Sequence, residues 1–482
     1  MDACERGLIP FWDDRLVDWT HTDAELSANR LRRKEVVMTL DCPWEGNCTD
    51  FFTVFRDGNI FRMYYEAWGW KDRPMCINVC YAESRDGIRW ERPNLGICEY
   101  NGSTDNNIIL KNIPDNFTVM KDPNPDCPPE LRYKALMAKN ADPGAGKNSL
   151  QCLVSADGIH FTPYSVISEG FAYDTQNTLH YDAARGKYLC FIRDQKRKAF
   201  SADPRFQEKM IRGICVLESA DFEHWSEPVA LDFGDAEEYP LYTNVVSAYP
   251  YDRRYYVGFP SRYVERKEWT ENYDRLGGKE ARRERWEASP RYGLAVTDCV
   301  FMSSRDGYRW HRFDEAIITP GPENGRNWVY GDCFPACGEL LRLPSAFEGE
   351  PEELSLYVFE NHWQDVPTRL VRYTCRREGF ASVKAPYRRK TLRTKLFAFA
   401  GDALFINFRT SARGGIRLRI LDGEGAPIPG FESCELFGDC VDREVDFAES
   451  VRRLSGKPVI FEFELSDAEL FALRFAEREA GE

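Results

Sequence analysis

A short motif that recurs along the chain constrains its fold more than any other feature. Ser-Arg-Asp-Gly-Ile-Arg-Trp at 84–90, Ser-Ala-Asp-Gly-Ile-His-Phe at 155–161, Ser-Ala-Asp-Phe-Glu-His-Trp at 219–225 and Ser-Arg-Asp-Gly-Tyr-Arg-Trp at 304–310 are copies of one pattern, and Arg-Arg-Glu-Gly-Phe at 376–380 is a degraded fifth. Each follows an apolar or alternating run, at 77–82, 150–154, 213–217, 299–302 and 370–375. Asp-Gly supplies a turn with positive φ, and the aromatic that follows starts another strand. Two further strand-like runs precede each copy, for example 51–55 and 61–65. Three strands, a turn and a fourth strand make a propeller blade, and self-similarity at this period is the signature of a repeat architecture.

The expected fold is therefore all-β: a five-bladed β-propeller over residues 36–390, followed by a C-terminal β-sandwich over 391–482 and preceded by a segment, 1–35, that packs on the propeller. Runs at 396–399, 403–408, 416–421, 459–463 and 472–475, separated by turn signals such as Arg413-Gly414-Gly415, suggest the sandwich. Two charged stretches interrupt blades on one face: 194–210 in blade three and 265–287 in blade four, the latter reading as helix broken at Gly277-Gly278. They are candidate lids or subunit contacts, or simply solvated insertions; they and the C-terminal domain are the surfaces through which a homo-oligomer would form.

Composition narrows the function. With 64 Lys+Arg against 78 Asp+Glu the net charge is −14, which argues against nucleic acid as a partner because such binders present basic faces. No stretch approaches the roughly 18 apolar residues of a membrane span, and residues 1–10 carry no signal-peptide core, so no membrane partner and a cytoplasmic location are expected. Only 6 His leave little scope for His-based metal chemistry. The pairs Cys76/Cys80 and Cys333/Cys337 have three intervening residues instead of the two common at zinc sites. No metal site and no cofactor are expected. Carboxylates remain as the acid/base reservoir.

Blade geometry sorts those carboxylates. In an antiparallel blade the start of the innermost strand and the end of the second share one face, while the repeated turn lies on the other. The strand-1 entrances read as 41–50 in blade one (Asp41, Glu45, Asp50), 119–125 in blade two (Lys121-Asp122-Pro123) and 171–177 in blade three (Asp174). Asp41 and Glu45 rank ahead of Asp50, which could simply begin the strand. At strand-2 ends of the same face stand Glu66 with Trp68 and Trp70, Lys139 with Asn140, Arg193, Arg262, and Glu360 with His362 and Trp363. Each has a structural alternative: Asp122 and Asp174 as turn caps, Arg193 and Arg262 as salt-bridge residues. A funnel of carboxylates, cations and indoles suits an oligosaccharide, whose hydroxyls bond to charged groups and whose ring faces stack on aromatics. Cleaving a glycosidic bond needs two carboxyls, one protonated and one ionised.

Five blades, acids on blades one to three and the Lys121-Asp122-Pro123 stretch resemble the five-bladed-propeller glycoside hydrolases, especially the fructofuranosidase-like family 32 and the arabinanase-like family 43. The resemblance implies hydrolysis of a furanosidic (fructosyl or arabinosyl) linkage. It implies a blade-one acid (Asp41 or Glu45) as nucleophile or base, Asp122 orienting sugar hydroxyls or tuning pKa, and the blade-three acid, here Asp174 in place of Glu, as proton donor. Lys121 stands where those families have Arg, and the blade-one Asn-Asp-Pro-Asn signature is absent. A mannoside-phosphorylase-like enzyme is the second reading, with Lys139, Arg193 and Arg262 as phosphate ligands. A carbohydrate-binding protein without catalysis is the third, favoured if the acids fail to sit together; separation of Asp122 from every other candidate carboxyl by more than about 10 Å would rule out the enzyme.

Overall fold

The computed structural model describes residues 4–69, 76–139, 147–194 and 211–477. Trp70, Asn140 and all but the first residue of the 194–210 insertion lie outside them. The chain divides into two compact units, one of Leu31–Leu343 and Leu354–Thr374, the other of Met1–Arg30, Pro344–Glu353 and Cys375–Glu482.

The first unit is the five-bladed propeller. Blade one pairs Asp50–Asp57, Ile60–Ala67, Ile77–Ser84 and Trp90–Glu91 in sequence order, all antiparallel. Blade two is built from Phe117–Lys121, Tyr133–Lys139, Ser149–Ser155 and Thr162–Glu169, and blade three from Thr178–Asp182, Lys187–Asp194, Gly213–Ser219 and Val229–Ala230. Blade four comprises Val246–Ala248, Tyr256–Gly258, Met302–Ser304 and Trp310–Arg312. Between its second and third strands the chain leaves to form the ribbon Ser261–Glu265 with Ala295–Cys299, enclosing helices α1 (Glu271–Arg275), α2 (Lys279–Ala288) and α3 (Pro290–Leu294). Gly278, at φ 69°, is the break between α1 and α2.

The repeated motifs are the strand 3 to strand 4 turns. Ser84 Oγ accepts the N–H of Gly87 (2.9 Å), and Asp86 Oδ1 accepts those of Ile88 and Arg89 (both 2.8 Å); Ser155/Asp157, Ser219/Asp221 and Ser304/Asp306 repeat this network. The third copy lacks Gly, and Phe222 takes the left-handed conformation (φ 67°) that Gly87, Gly158 and Gly307 take elsewhere. Each turn seats on the second strand of the preceding blade. Tyr64 of blade one donates its hydroxyl to Gly158 O (2.8 Å), Tyr357 of blade five does the same to Gly87 O, and Trp310 meets Phe191 of blade three edge-on at 6.0 Å.

Blade five differs from expectation. Its inner strands are Phe334–Pro335, Glu353–Glu360 and Arg369–Cys375, but its fourth strand is Arg32–Thr39, paired antiparallel with the third. The worn copy at 376–380 does not feed a fourth strand: Ala381–Ala385, just after it, pairs with Glu25–Ala28 and with the C-terminal strand of the other unit. The ring is thus closed by a strand from near the start of the chain, and residues 4–30, expected to pack on the propeller, belong to the same unit as the C-terminal sheet.

That second unit holds a nine-stranded sheet. Runs read from sequence as separate strands of a sandwich merge into two 19-residue strands, Ala403–Leu421 and Pro458–Ala476, paired along their length. Arg413-Gly414-Gly415, expected as a turn, is absorbed as a bulge: pairing jumps from Thr410↔Ala468 to Gly415↔Ser466. A Cβ on Gly414 would lie 2.3 Å from Asp467 O, which is why glycine is found there. Phe399, Phe408, Ile416, Leu418, Phe461, Phe463 and Leu470 are buried in its core.

Arg372, buried on the third strand of blade five, ties the closing strand in: Nε donates to Glu35 Oε1 (3.0 Å) and Nη1 to Ser355 Oγ (3.1 Å). Arg372→Met should lower stability by about 1–3 kcal/mol in urea unfolding, with faster amide hydrogen exchange appearing first at 32–39. Unchanged exchange there would show that the closing strand is held by other contacts.

Candidate active site

One cavity of about 550 Å³ opens among the strand-1 entrances of the propeller. Asp50 begins the innermost strand of blade one, Asp115 stands two residues before that of blade two, and Asp174 four residues before that of blade three; all three line the cavity. Glu66, at the end of strand 2 of blade one, is Asp50's cross-strand partner and lines it too. Trp68, Tyr242, Tyr292, Tyr330, Phe334 and Trp363 supply aromatic walls, with His362 and Arg291 between them. The face is the one expected from blade geometry.

A backbone feature aims the acids. Phe51, Asn116, Val245 and Cys333 have φ of 47°, 51°, 42° and 56°, each at the mouth of an innermost strand and each directly after an acid or its amide: Asp50, Asp115, Asn244 and Asp332. Non-glycine residues in this region are uncommon and concentrate at functional positions.

The electrostatics divide the carboxyls. Burial pushes Asp50 well above its ordinary range, and the charges of Asp115 and Asp174 add to it. Glu66 is likewise raised, first by burial and then by Asp50 and Asp115, although it accepts the backbone N–H of Phe117. Both shifts favour the protonated form of these cross-strand carboxyls, and neighbouring acids raise each of them further. Trp68 Nε1 donates to Asp50 Oδ1 (3.3 Å), and His362 Nε2 lies 3.9 Å from Oδ2. Burial pushes His362 well below its usual value, so the ring is neutral. Asp174 is open to the cavity and differently held: Arg193 Nη1 donates to Oδ2 and the Tyr242 hydroxyl to Oδ1, both at 3.3 Å, while Arg193 Nη2 bonds Tyr242 O at 3.0 Å.

Of the residues singled out from sequence, Asp50, Asp174, Glu66, Trp68, His362 and Trp363 line the cavity, and Arg193 braces it from behind Asp174. The others do not line it. Asp41 is solvent-facing, with its side chain 63% exposed. Glu45 is buried, accepting Tyr65 OH (2.7 Å), Cys42 N (2.8 Å) and both Arg92 nitrogens. Although Asp41, Cys42 and Glu45 bring ligand atoms within 4.8 Å of one another, Glu45's oxygens are already occupied by these donors. Lys139 is exposed. Arg262 forms a bidentate pair with Asp298 (2.9 and 2.7 Å). Glu360 is gripped by Arg33 and Arg369, which outweigh its burial and hold it below its usual range.

Asp122 is the main correction. Phe117–Lys121 is itself the innermost strand, so Asp122 follows it instead of leading into it, and about 16 Å of extended chain separates it from the entrance face. There it is buried against Lys134 Nζ (2.5 Å) and Tyr188 OH (2.7 Å), and the Lys134 ammonium lies 4.8 Å over the ring of Phe222 in the third repeated turn. It is a structural ion pair beneath that turn. The separation counts against a catalytic part for Asp122; the cavity's four carboxyls keep Asp50, Glu66 and Asp174 from the sequence reading and add Asp115 in its place.

Sequence reading missed Asp115 and undervalued Asp50. The signal was the aromatic opening the innermost strand just after each acid, Asp50-Phe51-Phe52 and Asp115-Asn116-Phe117.

The sequence matches no known family model and no curated protein. Similar solved structures include an N-acetylgalactosamine deacetylase from F. plautii (12% identity, TM-score 0.44, covering 77% of this chain and 95% of that one). They include also the catalytic domain of a GH62 α-L-arabinofuranosidase from Coprinopsis cinerea (9%, 0.41, 72% and 97%) and a GH32 β-fructofuranosidase from Bombyx mori (12%, 0.39, 92% and 95%). At such identities and TM-scores the likeness carries no residue's role across.

Two outcomes follow from the electrostatics. Asp122→Asn leaves Lys134 buried without its counter-charge and should cost about 3–5 kcal/mol of stability by chemical denaturation. The Asp50/Glu66 pair keeps a proton in the folded state that the unfolded chain releases near the ordinary carboxyl values of 3.8 and 4.5. Stability contributed by this pair is therefore complete below about pH 4 and is lost as pH rises through the raised folded values. Asp50→Asn should flatten that decline and raise stability by about 1–2 kcal/mol near pH 8; a variant with the wild-type pH profile would mean that the pair ionises normally.

Proposed function

We propose that the chain is a glycoside hydrolase that cleaves a glycosidic bond in the propeller cavity. The observation that carries this reading is the convergence of Asp50, Glu66, Asp115 and Asp174 in one aromatic-walled cavity, with the Asp50 and Glu66 carboxyls raised well above their ordinary range by burial. Hydrolysis of an acetal needs a proton for the departing oxygen and a carboxylate that attacks the anomeric carbon or deprotonates water. Asp50, which lines the cavity and whose protonated form is favoured by burial and by the neighbouring acids, is the donor. Asp174, held by Arg193 and Tyr242, is the nucleophile or base. Asp115 adds negative charge that favours retention of the proton on the blade-one pair. These roles reverse those implied by the resemblance to the fructofuranosidase-like and arabinanase-like families, in which the blade-one acid is the base. Stacking on Trp68, Tyr292 or Trp363 would hold the apolar face of a sugar ring, and a furanosidic fructosyl or arabinosyl linkage in an oligosaccharide is the substrate class that the family resemblance favours.

A panel of nitrophenyl furanosides and fructo- and arabino-oligosaccharides tests this. Asp50→Asn should lower kcat on natural linkages by about 10²–10⁴-fold, yet retain turnover of dinitrophenyl substrates, whose leaving group needs no proton. Asp174→Asn should lose activity on both, with partial recovery in azide. Turnover unchanged in both variants would sink the assignment.

A further inference from the structure

Beside the four carboxyls lies a group of hydrogen-bond donors that lacks acceptors. Arg212, at the start of strand 3 of blade three, stacks its guanidinium over Tyr242 (5.4 Å) and Tyr263 (4.6 Å); it forms no ion pair among the described residues, and its Nε is buried without a partner. Tyr263, on the ribbon that leads into the helical insertion, is only 3% exposed, and its hydroxyl is also unpartnered. Arg291 of α3 lines the cavity, lies 4.6 Å over the ring of Tyr292 and donates Nη2 to that residue's hydroxyl (2.8 Å), but it too pairs with no carboxylate among the described residues. Arg193, 4.4 Å over the other side of the cluster at Tyr242, bonds Asp174 and a backbone carbonyl and leaves its buried Nε unused. Glu265, two residues beyond Tyr263 on the same ribbon strand, is exposed and pairs with none of these arginines.

The rings knit these groups together. Tyr242 and Tyr263 centroids are 6.0 Å apart, Tyr263 and Tyr330 6.0 Å, and Tyr292 and Tyr330 5.7 Å, with Tyr330 OH donating to Tyr242 OH at 2.8 Å. Burial and then the charge of Glu265 push the Tyr263 hydroxyl up to about 12, while the positive charges of Arg212 and Arg291 act in the opposite direction. Burying donors without acceptors is costly, and guanidinium groups cannot shed their charge to escape it. What satisfies several N–H and O–H groups and two unneutralised guanidiniums at once is an oxyanion, which accepts bidentate bonds from arginine.

We infer that Arg212, Tyr263 and Arg291 form an oxyanion subsite on the blade-three and blade-four side of the cavity, taking a carboxylate or phosphate group. In the context of the hydrolase reading, on which this inference rests for its sugar, the ligand is an acidic saccharide; the same donors would equally hold free phosphate. Of the four carboxyls, Asp174 is bound by Arg193 and by the Tyr242 hydroxyl, which leaves Arg212 and Arg291 for the anion.

Binding to the full chain distinguishes the sources, measured by calorimetry and thermal shift at constant ionic strength with sodium phosphate, galacturonate, and galactose as the neutral control. Galacturonate binding well above galactose identifies a carboxylate carried by the sugar; phosphate binding identifies a free oxyanion. Arg212→Gln and Arg291→Gln should each weaken the anion by about tenfold or more, and Arg212→Gln, at a residue that does not line the cavity, should do so without changing galactose binding. Should either arginine variant fail to fold, Tyr263→Phe, which removes one hydroxyl and keeps the ring, should still weaken the anion about threefold to tenfold. Absence of binding by both anions, or affinity unchanged in the variants, would overturn the inference. Because binding is read without turnover, a chain that binds the anion but hydrolyses nothing refutes the hydrolase and leaves the subsite standing.

Discussion

The propeller depends on one repeated contact, the seating of each Ser-x-Asp turn on the second strand of the blade before it. The turn is rigid because its serine and aspartate satisfy the turn's own N–H groups, and the rigid turn then presents a carbonyl and an aromatic to its neighbour. Tyr64, Tyr357, Phe191 and the Lys134–Asp122 pair are receivers of that contact on four different blades. A sheet of four strands has a strongly twisted, partly apolar face that needs cover, and this contact fixes which residues of the next blade provide it.

Locking the blades at one face leaves the other face available for chemistry. The entrances of the innermost strands carry no repeated turn; their backbone instead passes through positive φ directly after an acidic or amide residue in four of the five blades. Conformational strain there is sustained by the surrounding blades, and in blades one and two it stands directly after Asp50 and Asp115, which line the cavity. Burial then separates the carboxyls by environment: Asp50 and Glu66 hold a proton, while Asp174 is met by a guanidinium and a phenol. Composition alone, with its surplus of acids, says nothing about that division.

Some conspicuous charges serve structure. Glu45 with Arg92, Glu360 with Arg33 and Arg369, Arg262 with Asp298, and Asp122 with Lys134 are paired groups off the cavity. In each case the pairing explains why an ionisable residue can sit at an otherwise apolar blade position. Arg212 and Arg291 are the contrasting cases, stacked on tyrosines and paired with no acid among the described residues, which is why they point to a ligand.

The repeat was legible in the sequence because its hydrogen bonds are local: Ser to two and three residues ahead, Asp likewise, with an aromatic at a constant offset. From it followed the five blades, the face that carries the entrances, and Asp174, Glu66, Trp68 and His362 on that face. Asp122 was misplaced because the apolar run 117–121 is itself the innermost strand, and a strand's ends are distinguished only by which neighbour it pairs with. The closing strand 32–39 and the 19-residue strands of the second unit depend on pairing between residues hundreds of positions apart or on a bulge that resembles a turn. Which acids keep a proton, and which arginines lack a partner, was decided by tertiary structure, because burial and charge pairing are set by side chains brought together from other blades.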